Sequence, residues 1–334
     1  MKAILVTGGA GYAGITLTES LARRYPEYTI VVFDRNQRGC NELVSSLKKT
    51  LSNIRLILPE KADVRDVKNV EDALLQYEPE IVVNLAAKVT DFYKDQPGKN
   101  EECMATNFEA TANIARLCKS KGVKTFIHQS SVLVYEPGEN ITEDVPPRPS
   151  LTYGKSKLMG EQEALALSDD NFKVVVFRAS TIVGYNINFK YETMVNLMCV
   201  RSVFKVPFTL FESALEHDKT YLDVHDNANA IIFAIENIKE LKGSVFNLAS
   251  FNARLSDVLE IIKGEIKEDF PYTILKEDKK NKQVYSINFD KLKSVGFKPK
   301  GSIEEVIKTT IRHLKMTRDF YQDAILKNSY VNPV

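Results

Sequence analysis

The chain has 334 residues, with 45 basic against 44 acidic side chains and a formal net charge of +1 at pH 7. That length suits one large α/β domain or such a domain carrying a smaller lobe, and the balanced charge excludes a basic groove for nucleic acid or a patch drawn to an anionic membrane. Cys40, Cys103, Cys118 and Cys199 lack metal-ligand spacing and His128, His217, His225 and His313 are scattered, so no metal site is expected and the thiols read as reduced and structural.

No cationic leader with an apolar core precedes the first apolar run, and no run approaches the length of a membrane span, so the expectation is a soluble, cytoplasmic protein. Residues 3–6 form a short apolar run typical of a strand buried on both faces, and a helical pattern starts after Gly14 with Ile15, Leu17, Leu21 and Ala22. Between them Gly9-x-Gly11-x-x-Gly14 fits the dinucleotide spacing, and Gly8-x-x-Gly11-x-x-Gly14 its relaxed variant. Such a turn lets backbone approach a pyrophosphate at the positive end of a helix. The bland alternative is an ordinary tight strand-to-helix turn. Context favours the dinucleotide site, because residues 29–33 form a second apolar run ending in Asp34, about twenty residues beyond Gly14. A carboxylate there accepts hydrogen bonds from a free ribose 2′-hydroxyl and repels a 2′-phosphate, which favours NAD over NADP. Arg35 and Arg38 could instead pair with a 2′-phosphate if Asp34 turned away.

Residues 54–58 read as a third strand, and residues 62–66 open a helix running through Val70, Ala73 and Leu74, placing Asp63 and Val64 where an adenine could lie. Residues 81–87 read as a fourth strand whose end, Leu85-Ala86-Ala87, is small enough for a ligand to approach the backbone. A long helix is expected over about 100–121, ending at Gly122, and residues 123–129 give a fifth strand finishing in Ser130-Ser131. A proline-rich loop then feeds a helix over about 153–167 and a sixth strand at 173–177. Six alternations of strand and helix predict an α/β fold with a doubly wound parallel sheet. Beyond Arg178 the alternation weakens. The expected division is a dinucleotide-binding domain of residues 1–180 with about 220–250, and a smaller mixed α/β substrate lobe of about 181–219 with 251–334.

Tyr153 and Lys157 stand four apart, on one helix face one turn from each other. A nearby cation favours phenolate over phenol, which moves a tyrosine from about 10 toward the range of a general base. By itself such a pair is more often a solvent-facing coincidence. It gains meaning by following Ser131 at the carboxyl end of the fifth strand, where such sheets bind ligands and a serine hydroxyl can hold a substrate oxygen.

The ordered set Thr7-Gly-Gly-Ala-Gly-Tyr-Ala-Gly14, Asp34, Asp63-Val64, Asn84-Leu-Ala-Ala87, Asn107, Ser130-Ser131-Val-Leu-Val-Tyr135, Tyr153-Gly-Lys-Ser-Lys157 and Phe177-Arg178 resembles the extended short-chain dehydrogenase/reductases. Within them it is most similar to the NAD-dependent nucleotide-sugar epimerase/dehydratase group, built on a Rossmann domain. The resemblance implies cofactor contacts from Gly8, Gly11, Tyr12, Ala13, Gly14, Asp34, Arg35, Asp63, Val64, Leu85, Ala86, Ala87, Asn107, Ser130, Tyr153 and Lys157. It makes Tyr153 the catalytic base, Lys157 the residue that lowers its pKa and holds the nicotinamide ribose, and Ser131 the residue that orients the reacting hydroxyl. It implies epimerisation of a nucleotide sugar at C4 through a transient keto sugar, and a homodimer joined through the helices at 100–121 and 153–167. A net reductase or dehydrogenase using the same residues is the nearest rival, and a non-catalytic dinucleotide sensor on the same fold a more distant one. Three departures bear on substrate. Val132-Leu133 stand where 4,6-dehydratases carry an Asp-Glu pair, Thr181 where epimerases often have an asparagine on the substrate diphosphate, and Lys219 where the family often offers an arginine.

Overall fold

The computed structural model describes residues 2–35, 41–57, 59–89, 97–276 and 285–317. Arg38, Cys40 and Leu58 lie outside the described residues. Seven parallel strands form the main sheet: β1 (Ala3–Thr7), β2 (Thr29–Phe33), β3 (Ile54–Leu56), β4 (Ile81–Asn84), β5 (Thr125–Ser131), β6 (Lys173–Ala179) and β7 (Ser244–Leu248), in the order β7-β6-β5-β4-β1-β2-β3. Six are the strands expected from the apolar runs. The edge strand β7 escapes that reading because Asn247, fully buried, interrupts its short apolar pattern.

Alternation along these strands feeds two cores, as a period of two requires. Ile4, Val6, Ile30, Val32 and Val175 face α1 (Tyr12–Arg24) and a later helix, Val224–Glu236, through Leu17, Leu21, Ala230 and Ile231. Ala3, Leu5, Val31, Val82 and Val174 face the opposite way, onto Ala73, Leu74, Ile114 and Ala115. Helices on both faces make the sheet doubly wound. A further core gathers Val195, Met198 and Val203 of Met194–Phe204 with Leu259 and Ile262 of Leu255–Ile266 and Ile307 and Ile311 of Ile303–Met316. It lies beside a small sheet in which Lys219–Asp223 is central, parallel to Thr181–Val183 and antiparallel to Phe251–Ala253.

Two elements depart from expectation. The strand expected over 81–87 ends at Asn84, and the next three residues leave the sheet. This brings Ala86 beside the first glycine turn, where a Cβ on Gly8 would stand 2.8 Å from the Ala86 nitrogen. The long helix expected over 100–121 is Pro97–Met104, then a π turn Ala105–Glu109, then Ala110–Ser120. Single π turns inside helices often mark functional positions, and this one carries the fully buried Asn107.

Candidate active site

The strand order reverses between β1 and β4, so their carboxyl ends part and open a crevice. Gly8, Asp34, Arg35, Val64, Ala86, Ala87 and Thr106 line it. Gly8 has φ +69, which favours glycine, and a Cβ on Gly14 would come 2.0 Å from the Gly8 carbonyl oxygen. Only glycine fits either position. At the start of α1 the N-cap is Gly11, with no side-chain cap on the first-turn N–H groups around Tyr12, Ala13 and Gly14. A helix N-terminus of that kind suits a phosphate. Asp34 closes the turn from the β2 side, its Oδ2 accepting from the Ala10 N–H at 3.1 Å. These cradled glycines and the bare helix end fit a dinucleotide.

The side chain of Tyr12 turns away from that role. Its hydroxyl donates to the Gly184 carbonyl at 2.6 Å, and burial pushes its pKa up. Arg35 pairs with Asp63 and with Glu102, both at 3.2 Å, so of the two arginines that could meet a 2′-phosphate this one is held by two carboxylates, and Arg38 lies outside the described residues. Burial acts to raise the Asp63 carboxyl, yet Arg65 and Arg35 bring it down to about 2. Asn107 stands one step behind the crevice. Its Nδ2 donates to the Lys88 carbonyl and its Oδ1 accepts from the Lys88 N–H, each at 2.8 Å, while Nδ2 also reaches Ser156 Oγ and Cys103 Sγ at 3.1 Å. It therefore fixes the loop after β4 to the helix Thr152–Ala166.

That helix carries Tyr153 and Lys157 to the carboxyl end of β5. Gly154 and Gly160 allow the close approach, since a Cβ would stand 2.1 Å from the Leu133 carbonyl and 2.4 Å from the Asn107 carbonyl respectively. Tyr153 is hydrogen-bonded with Ser131, whose Oγ also accepts from the Leu133 N–H at 3.2 Å. Burial pushes the phenol up to about 12, with the Ser131 hydrogen bond pulling the other way. Lys157 is buried and donates to the Gln129 carbonyl at 2.6 Å, and burial brings its pKa down to about 8. Burial is the largest influence on the phenol here and outweighs the Ser131 hydrogen bond. Ser130 Oγ and Gln129 Oε1, on the strand segment that meets this pair, are buried with no hydrogen-bond partner among the described residues.

Ser131 is in register with Ala179, and the chain runs two residues on to the exposed Thr181, opposite Tyr221 on the strand that begins at Lys219. The two residues expected at the substrate diphosphate thus sit on adjoining strands. The sequence did not single out Glu161 or His128, nor the partners that Arg178, Tyr135 and Asn84 find. Glu161, one turn beyond Lys157, pairs with Arg178 at 2.5 Å, and Arg178 donates to the Tyr135 hydroxyl at 2.6 Å. Glu161 could have been read as the next member of the Tyr153/Lys157 face. Asn84, donating to Thr111 at 3.1 Å, and His128 form a buried polar link across the sheet. Burial, then Lys157, keep the imidazole well below its ordinary pKa and hence neutral.

Comparison with known proteins agrees with this geometry. A dTDP-glucose 4,6-dehydratase from Haemophilus influenzae is 23% identical over 340 residues, covering 93% of this chain and 97% of that protein. Among solved structures, the UDP-Glc/GlcNAc 4-epimerase of Campylobacter jejuni superposes with a TM-score of 0.80 at 21% identity, over 95% of this chain and 100% of that one. A UDP-glucuronic acid 4-epimerase from Bacillus cereus, in complex with UDP-glucuronic acid and NAD, gives 0.81 at 20% identity, over 94% and 99%. The sequence model of the NAD dependent epimerase/dehydratase family matches residues 4–249. With its glycine cradle, its acid at the end of β2 and its Ser131, Tyr153 and Lys157, the chain belongs to the NAD dependent epimerase/dehydratase family, an enzyme family whose cofactor is NAD.

Proposed function

We propose that the protein is an NAD-dependent nucleotide-sugar epimerase acting at the sugar C4. The observation that carries this reading is the meeting of Ser131, Tyr153 and Lys157 at the carboxyl end of β5, beside the dinucleotide crevice. Bound NAD supplies a reversible hydride acceptor. Tyr153 takes the proton from the C4 hydroxyl and later returns it, and Ser131 holds the reacting oxygen. Lys157, anchored at Gln129, holds the nicotinamide ribose and adds positive charge. The transient keto sugar turns over in the pocket and is reduced on its other face. Thr181 and Lys219 bind the diphosphate, the lysine as a point charge rather than a bidentate fork.

Dehydration is disfavoured by the loop after β5. Val132 is buried, and Leu133 spends its N–H on Ser131, so this segment offers no carboxylate for removing water. The alternative of a net reductase or dehydrogenase draws on Thr181 and Lys219, which depart from the diphosphate contacts of epimerases. Among the described residues no helix is long and apolar enough to cross a membrane. Homodimerisation through Ala110–Ser120 and Thr152–Ala166 is part of the same reading, and light scattering that gives only monomer removes it.

The test has two arms. Nucleotide released on denaturing the purified protein is identified by mass spectrometry, and a panel of UDP-sugars is followed by NMR for C4 inversion. Retained NAD with C4 inversion is expected, with Tyr153→Phe lowering turnover by about 10²–10⁴ as for other general acid–base groups. Stoichiometric NADH formation without inversion sinks the epimerase, and unimpaired Tyr153→Phe sinks the mechanism.

A further inference from the structure

Five charged side chains close over the adenosine end of the crevice. Arg35 lines it directly and is held by Asp63 and Glu102, each at 3.2 Å. Arg65 pairs with Asp63 at 2.7 Å and reaches within 3.8 Å of Glu102, and Lys88, also lining the crevice, pairs with Glu102 at 2.7 Å. Among the described residues Glu102 is thus the one carboxylate in contact with all three cations. It lies on the helix Pro97–Met104, far in sequence from the glycine turn and from Asp34. Among the described residues, with Asp34 counted, three cations face three carboxylates.

Arg35 follows Asp34 at the end of β2, and in sheets of this type an arginine near that acid accommodates the 2′-phosphate of NADP. The chain therefore contains the cation an NADP site uses. Among the described residues that cation is not free, being held by Asp63 and Glu102. Lys88 first, with Arg35, keeps the Glu102 carboxyl below its usual pKa, so the restraint is fully charged at neutral pH. We propose that Glu102 is a determinant of cofactor specificity, acting with Asp63 to withhold Arg35 and Lys88 from a ribose 2′-phosphate, so that discrimination against NADP does not rest on Asp34 alone. The inference rests on the NAD-binding reading above and goes beyond it in assigning a role to a residue outside the dinucleotide motif.

Among the described residues, removing Glu102 leaves three cations around Asp63 and Asp34, a net gain of one positive charge at the mouth of the adenosine pocket. The side chains concerned are only partly buried, so they can reorient toward a ligand. Calorimetric titration of NAD and NADP into wild type, Glu102→Gln, Arg35→Gln and the double variant, each first stripped of retained nucleotide, tests this by binding alone. Glu102→Gln is expected to tighten NADP about tenfold, the worth of one charge-assisted contact, while NAD changes by less than about threefold. The gain should vanish in the double variant. An unchanged NADP-to-NAD ratio in Glu102→Gln, or a gain that survives Arg35→Gln, overturns the inference while leaving the NAD site intact. Wild type that binds neither dinucleotide overturns the NAD-binding reading itself and this inference with it. Glu102→Ala carries the same expectation should the glutamine variant fail to fold.

Discussion

Tyr153 and Lys157 are pushed in opposite directions by one cause. Burial favours the neutral form of each, raising the phenol to about 12 and lowering the ammonium to about 8. At neutral pH burial therefore favours the phenol form of Tyr153 in the protein without its cofactor. The lysine makes a stability prediction with a definite sign. In the unfolded chain lysine keeps its proton to about 10.4, whereas folded Lys157 releases it near 8, so between those values the unfolded state binds more protons and stability rises with pH. Urea denaturation of the cofactor-free protein at pH 7 and pH 9.5 should show wild type gaining stability relative to Lys157→Met over that window. A parallel pH dependence of the two proteins removes the claim that this ammonium is buried.

At the scale of elements, the helix Thr152–Ala166 is held against its neighbours by close backbone contact and by one buried ion pair. Gly154 and Gly160 let it lie on the loop after β5 and on the π turn at Asn107. Glu161 ties it to Arg178 of β6, with side chains 1% and 7% exposed. Arg178 continues to Tyr135, whose hydroxyl donates to Asn247 Oδ1 of β7 at 2.9 Å. Removing one partner from such a pair leaves the other charge buried. Glu161→Gln should thus cost about 3–5 kcal/mol of unfolding free energy. Chemical denaturation measures it, and a loss under about 1 kcal/mol, the range of exposed pairs, would mean that the helix is anchored otherwise.

At the scale of the molecule, the glycine turn is also a junction with the segment leading to Met194–Phe204. Asn186 Nδ2 donates to the Tyr12 carbonyl at 2.6 Å and to Thr16 Oγ1 at 2.9 Å, and Asn188 Nδ2 donates to the Ala10 carbonyl at 2.9 Å. Asn196 reaches the Tyr12 hydroxyl at 3.3 Å and accepts from the Gly184 N–H at 3.0 Å. The glycine turn and the helix beside the small sheet are thus one polar network. Asn186→Ala leaves two acceptors unpaired and should cost about 1–3 kcal/mol in stability. It should also weaken NAD binding. Fluorescence titration of NAD with undiminished affinity in that variant would separate the two regions.

The dinucleotide half was legible because its signals are local. A buried parallel strand must be a continuous apolar run, a turn that meets a phosphate must be glycine where a Cβ would strike backbone, and Tyr153 and Lys157 share a helix face by spacing alone. Tertiary structure decided what depends on partners distant in sequence. It ended β4 at Asn84 to bring Ala86 against Gly8, and wound a π turn around Asn107 so that its amide meets Lys88. It placed Asn247 on an edge strand where Ile141 and Asn288 carbonyls accept its N–H groups, which made a polar residue tolerable in a buried position. It also set the charge states of Tyr153 and Lys157 and closed Glu102 onto Arg35. Sequence fixes which groups are available; burial and through-space pairing, which depend on the packed chain, decide which of them carry charge and which are free to meet a ligand.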